Sequence, residues 1–100
     1  KNSLLPMYDT AIATLFRDLA DRGLLESTLV VVTGEFGRTP RINKNAGRDH
    51  WGNLGPLLLA GGGVPGGAVI GRSSSNGGEP ASDPVKVQNL IGTIMHTLFD

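Results

Sequence analysis

The residues best suited to chemistry lie between Glu35 and His50, in a stretch that combines a carboxylate, an imidazole and several cations. Glu35 directly follows the apolar segment 28–33, where a half-buried carboxylate requires a cation or hydrogen-bond donors around it. Such a carboxylate can bind a divalent metal ion, and it can equally form a structural ion pair with Arg38. The sequence around Glu35 leaves both roles open.

His50 is the second candidate ligand, because neutral imidazole is the commonest side-chain ligand for transition metals. Its neighbour Asp49 could accept a hydrogen bond from the other ring nitrogen and so orient the ring. The alternative role is that of a loop residue packed beside Trp51. Spacing alone does not choose between these two roles.

The same stretch holds four of the nine basic residues of the chain. Guanidinium groups match the geometry of phosphate and sulfate, so Arg38 and Arg48 are predicted to bind an anion beside Glu35. Arg41 and Lys44 are interpreted as solvated surface charges. The alternative for the whole group is a solvated basic loop without a ligand.

Length and composition exclude several classes of protein. One hundred residues suffice for one small domain, and the nine basic and nine acidic residues cancel, which leaves no overall field for nucleic acid or an anionic membrane. The absence of cysteine excludes disulfides and thiolate metal sites. The longest apolar runs, 29–32 and 57–60, are far shorter than the roughly 20 residues of a membrane span.

The elements that must position these residues follow from apolar periodicity. Helical spacing from Tyr8 to Leu19, with Gly23 as the terminating residue, predicts a first helix. The run 28–33 is apolar on both faces and predicts a buried strand of a parallel sheet. Three further elements are predicted: a strand over 56–60, a short strand over 68–70 that pairs back with it, and a helix that starts at 82–84.

This order of elements predicts an α/β fold with a mostly parallel sheet flanked by helices. Between the first two strands lies the loop 34–53, which is long for a compact domain and is therefore interpreted as functional. Ligands of open α/β sheets bind at the carboxyl ends of the strands, where Glu35 is expected to lie. The chain starts at Lys1 and stops within a helical pattern, so we expect a piece of a longer protein.

Three motifs resemble those of the bacterial family called domain of unknown function 1501, which is grouped with the alkaline phosphatase and sulfatase superfamily. They are GEFGRTP at 34–40, GRDHW at 47–51 and LAGGG at 59–63. In addition, residues 8–37 resemble the sulfatase segment in which a helix leads into a strand that ends in Ser-Asp-His-Gly. The resemblance implies that residues 1–100 are the carboxyl-terminal portion of one alkaline-phosphatase-like α/β sandwich, on which the rest of the same domain packs.

The resemblance also implies a function, namely a metal-dependent hydrolase acting on sulfate or phosphate esters and exported from the cytoplasm. Glu35 falls where the superfamily has a metal-binding aspartate, and His50 falls at a later ligand histidine, so both are predicted to bind a divalent metal ion. Phe36 falls where a second ligand histidine stands, and phenylalanine cannot bind metal. The alternative is therefore a degenerate, non-catalytic member that serves as a binding or structural module.

Overall fold

The structure, a computed structural model, describes residues 2–99 of the chain. It contains two α-helices, four short strands and one 3-10 turn. Their bounds are Leu4–Asp21 (α1), Leu25–Ser27 (the 3-10 turn), Val30–Thr33 (β1), Gly37–Arg38 (β2), His50–Trp51 (β3), Leu57–Ala60 (β4) and Val87–Phe99 (α2).

The carboxyl end of α1 confirms the predicted role of Gly23, whose φ is +71°. The amide of Gly23 donates a hydrogen bond to the carbonyl of Ala20 at 3.1 Å, and the amide of Leu24 donates to the carbonyl of Leu19 at 2.8 Å. This pair of bonds is a Schellman motif, which satisfies carbonyls that the end of a helix would otherwise leave without partners. The helix begins about one turn earlier than the apolar spacing predicts.

β1 and β4 are neighbours and run antiparallel, with Val30 opposite Ala60 and Thr33 opposite Leu57. The predicted parallel sheet is therefore wrong, and the alkaline-phosphatase-like sandwich built on it is wrong with it. A parallel pair needs a crossover that returns the chain to the same end of the sheet, usually a helix. The connection 34–56 contains two short strands and no helix. The chain therefore starts β4 beside the carboxyl end of β1 and runs back along it.

The two-stranded sheet is only partly covered. The valines of β1 are half-buried, whereas Leu57 and Leu58 of β4 are 38% and 49% exposed. Among residues 2–99, no large apolar side chain is fully buried. α1 faces β4 across an open groove of about 590 Å³, which Phe16 and Leu59 help to line. The predicted sheet flanked by packed helices is therefore not seen in the described part of the chain, because this groove separates α1 from β4.

The predicted loop 34–53 contains a β-ribbon, formed by β2 and β3. The two strands pair antiparallel, with Gly37 opposite Trp51 and Arg38 opposite His50. Each strand has only two residues, which is too short for the period of two to be recognised in the sequence. This ribbon brings together the residues that the sequence separates by more than ten positions.

The strand predicted over 68–70 is absent from the structure, and the segment is irregular. Val69 and Ile70 are 92% and 81% exposed, so their β-branched side chains have nothing to pack against. The preceding glycines, Gly61 to Gly63, all have positive φ and form a tight turn closed by the amide of Val64, which donates to the carbonyl of Gly61 at 3.1 Å. β4 therefore pairs with β1 and forms no hairpin with the segment that follows the turn.

α2 is confirmed, but its predicted start at 82–84 is several residues too early. The hydroxyl of Ser82, expected to cap the helix, instead accepts a hydrogen bond from the amide of Arg72 at 3.0 Å. Asn89 accepts a hydrogen bond from the amide of Lys86 at 2.8 Å, just before the first helical residue. None of the helices among residues 2–99 combines the length and the hydropathy that crossing a membrane requires.

Candidate functional site

Three predicted or neighbouring side chains meet on one face of the β-ribbon. Because Arg38 and His50 are cross-strand partners, their side chains lie on the same face, and Phe36 lies two residues before Arg38 on that face. The rings of Phe36 and His50 are in contact, with centroids 4.0 Å apart and planes inclined by 33°. The structure thus gives His50 a packing partner on the same face, which is Phe36, the residue directly before β2.

The guanidinium of Arg38 lies over the same aromatic ring, with Cζ 5.6 Å from the centroid of Phe36. This distance is within the range of a cation–π interaction. One guanidinium nitrogen, Nη1, donates a hydrogen bond of 3.1 Å to the main-chain carbonyl of Arg48. A guanidinium carries five N–H donors, so Arg38 keeps most of them for a ligand.

Arg48 is held differently. Its Nη1 donates two hydrogen bonds across the ribbon, to the carbonyl of Thr39 at 2.9 Å and to that of Pro40 at 3.0 Å. The side chain therefore connects the segment before β3 to the segment after β2. Arg38, on β2, donates in return to the main chain of Arg48, before β3. Each arginine therefore uses its side chain to bind the main chain of the other segment.

Neither guanidinium is neutralised by a carboxylate within residues 2–99. The ion pair in that part of the chain joins Arg22 to Asp18, at 2.8 Å on the exposed surface of α1. The carbonyls that Arg38 and Arg48 contact are uncharged acceptors. Positive charge therefore remains on this face of the ribbon, and such a face attracts anions.

Thr39 fastens the loop end of the ribbon. Its hydroxyl donates to the carbonyl of Arg41 at 2.8 Å and accepts from the amide of Asp49 at 3.1 Å. Its own amide donates to the carbonyl of Asp49 at 3.0 Å, which continues the ladder beyond the two-residue strands. The hydrogen-bonded ladder of the ribbon therefore extends to Thr39 and Asp49, one residue beyond each strand.

Asn43 organises the tip. Its Oδ1 accepts hydrogen bonds from the amides of Asn45 and Gly47 at 2.9 and 3.0 Å, and its Nδ2 donates to a carboxylate oxygen of Asp49 at 3.0 Å. Asparagine favours such side-chain turns. Between these bonds Ala46 adopts a φ of +60°, which is uncommon for a residue with a Cβ. The side-chain bonds of Asn43 stabilise this conformation.

The opposite face of the ribbon is packed against the loop 72–82. The indole Nε1 of Trp51 donates to the carbonyl of Gly78 at 2.8 Å, and the side-chain Nδ2 of Asn53 donates to Glu79 Oε1 at 2.8 Å. Gly37, opposite Trp51 in the register, is buried and in close contact with the backbone of Leu54. One face of the ribbon is therefore structural, and the face with Arg38 is open to solvent.

The metal prediction for Glu35 and His50 is not tested by these contacts. Both side chains are exposed, and neither carboxylate nor imidazole nitrogens have a hydrogen-bond or ion-pair partner among residues 2–99. The same residues contain no cluster of three or more histidine, aspartate or glutamate side chains that could hold a metal ion. Glu35 and His50 alone do not make a complete site, because protein metal sites take three or more protein ligands in most cases.

The candidate residues lie apart from the apolar groove between α1 and β4, which none of them lines. The structure places Arg38 opposite His50 and against the main chain of Arg48, whereas the sequence analysis treated Phe36 only as a missing ligand. The alternation of Phe36 and Arg38 along one strand is the signal that could have placed both on the face of His50.

Comparison with known proteins identifies a family. No curated protein and no solved structure matches the chain. The family model described as "Protein of unknown function (DUF1501)" matches residues 1–99, which is nearly the whole sequence. The chain therefore belongs to the DUF1501 family.

Proposed function

We propose that the open face of the ribbon forms one wall of an oxyanion site in a metal-dependent hydrolase that acts on sulfate or phosphate esters. The observation that carries the proposal is the arrangement of Arg38, a cation without a carboxylate partner among residues 2–99, directly across the ribbon from His50. A tetrahedral anion needs charged donors of this kind, and guanidinium donors hold its oxygens in a fixed orientation.

In this proposal Arg38 binds the non-bridging oxygens of the ester and stabilises the charge that they carry in the transition state. His50, whose ring packs against Phe36, lies on the same face of the ribbon as Arg38. A divalent cation would be held by Glu35 and His50 together with ligands from outside residues 2–99, and it would act there as a Lewis acid. The nucleophile would also come from outside the residues described.

A relationship to the alkaline phosphatase and sulfatase superfamily, and export from the cytoplasm, belong to the same proposal. The support for the relationship is the positions of Glu35 and His50 in the two loop motifs, and it does not depend on the direction of the sheet strands. A cell-fractionation experiment with the full-length protein tests the location separately from the activity.

Hydrolysis of p-nitrophenyl sulfate and p-nitrophenyl phosphate by the full-length protein, with a series of divalent cations, tests the activity. We expect Arg38→Met to lower kcat/KM about tenfold or more, because a charge-assisted contact to the anion is lost. Arg41→Met is the matched control, since it removes the same charge from the same ribbon without removing a side-chain contact. Equal rates for Arg38→Met and the control would contradict the proposal.

A second candidate function is a binding module that retains anion affinity without catalysis. The observation in its favour is the contact between Phe36 and His50, which gives the imidazole a packing partner within the ribbon. The two functions differ in turnover: the binding module binds inorganic phosphate or sulfate but releases no p-nitrophenol from either ester. In the hydrolase, His50→Ala abolishes turnover.

A further inference from the structure

We infer that Arg48 is a positioning residue, which acts on the bound anion through Arg38 and does not contact the anion itself. The inference rests on the proposed function and divides the work between the two arginines of the ribbon. It differs from the interpretation of the sequence, in which both guanidinium groups hold the anion.

The hydrogen bonds of Arg48 are the first argument. Its Nη1 donates to two successive carbonyls, those of Thr39 and Pro40, at 2.9 and 3.0 Å. These bonds draw the guanidinium of Arg48 onto the main chain that follows Arg38, and they fix the separation of the two segments. The group is thus used to hold the ribbon together.

The hydrogen bond of Arg38 is the second argument. Its Nη1 donates to the main-chain carbonyl of Arg48, the residue whose side chain fastens the two segments. The ring of Phe36, 5.6 Å from Cζ, restricts the guanidinium from another side. Arg38 is exposed and is therefore oriented by two contacts without using its remaining donors, and such preorganisation lowers the entropic cost of binding a ligand.

The two roles predict different effects on anion affinity when each arginine is replaced with lysine. The lysine ammonium has three donors and can bind two neighbouring carbonyls, so Arg48→Lys should retain the contacts that hold the ribbon. Lysine lacks the planar pair of donors that matches an oxyanion, so Arg38→Lys should lose the anion contact. If Arg48 contacted the anion through its guanidinium, lysine would lower the anion affinity at both positions.

Calorimetric titration of the full-length protein with inorganic phosphate measures these responses. We expect Arg48→Lys to stay within about threefold of the wild-type affinity and Arg38→Lys to lose about tenfold or more. Arg48→Met should lose several-fold, and Arg41→Met should change the affinity less than about twofold as the control for charge alone. Equal losses in Arg48→Lys and Arg38→Lys would overturn the inference.

A double-mutant cycle separates positioning from direct contact. In the Arg38→Met background, Arg48→Met should have no further effect on phosphate affinity, because the group through which it acts is absent. A full additional loss in the double variant would mean that Arg48 contacts the anion on its own, and the inference would be wrong.

A measurement without anion makes failure of the inference distinguishable from failure of the proposed function. In protein labelled with ¹⁵N-arginine, the Nε–H signal of Arg38 should be unchanged by Arg48→Lys and broadened or shifted by Arg48→Met. An unchanged signal in Arg48→Met would overturn the positioning role. If the wild-type protein binds no phosphate, the proposed function fails, and with it the role of Arg48 toward an anion.

Discussion

Replacing Gly37 with alanine should damage the ribbon more than any other single methyl group added to it. A Cβ at Gly37 would lie 2.9 Å from the carbonyl carbon of Leu54, closer still to its oxygen, and 3.4 Å from the carbonyl oxygen of Trp51. All three atoms belong to the backbone, so no side-chain rotation can relieve the overlap. Real Cβ atoms essentially never approach other atoms within 3.0 Å.

The expected loss in the free energy of unfolding depends on which part of the backbone must move to make room for the methyl group. Overpacking of a well-packed site costs about 1–3 kcal/mol, and here the main chain after β3 must separate from β2, which places the expected loss at about 3 kcal/mol. The displacement also changes the register partners of the ribbon, so phosphate affinity should fall together with stability. Urea unfolding of the full-length protein, followed by circular dichroism, measures the first effect, and phosphate titration measures the second.

Gly52→Ala is the matched control, because Gly52 follows β3 directly and nothing lies within 4 Å of a Cβ added there. Its φ is not positive, so alanine should change the free energy of unfolding by less than about 0.5 kcal/mol. If Gly37→Ala were as mild as this control, the close approach of Leu54 to β2 would be refuted, and the ribbon geometry with it.

Three further substitutions test other parts of the structure. Gly61→Ala should lower the free energy of unfolding by at least about 2 kcal/mol more than Gly63→Ala in urea. Both glycines have positive φ, but only a Cβ at Gly61 meets backbone carbonyls, so equal losses would contradict that packing. Phe36→His should raise the affinity for Ni²⁺ or Zn²⁺ about tenfold or more in a metal titration, because two imidazoles then lie side by side; an equal gain in a His50→Ala background would contradict their contact. Trp51→Phe should cost about 1 kcal/mol in the same unfolding assay, because it removes a hydrogen bond to the loop that packs on the ribbon; an unchanged midpoint would contradict that bond.

The sequence predicts well where the signal is local. The end of α1 at Gly23 depends on the adjoining turn alone, and the structure confirms it. The existence of β1 and β4 follows from their apolar runs. Their direction does not, because an apolar run is compatible with either direction and only the connecting segment decides it.

In the candidate site, too, the sequence indicates the residues but not how they pair. The residue types at Arg38 and His50 mark them as candidates, but their pairing depends on a register that two-residue strands do not reveal. The use of Arg48 to bind carbonyls is likewise a property of the folded ribbon. The turn residues Asn43 and Gly47 were an available signal for a hairpin within the long loop.

The most direct test of the oxyanion site is a crystal structure of the full-length protein with inorganic phosphate at a concentration above its dissociation constant. We predict a phosphate oxygen about 2.7–3.2 Å from a guanidinium nitrogen of Arg38, on the face of the ribbon that carries His50. Arg48 should still bind the carbonyls of Thr39 and Pro40. An Arg38 guanidinium paired with a carboxylate, with no phosphate on this face, would contradict the account.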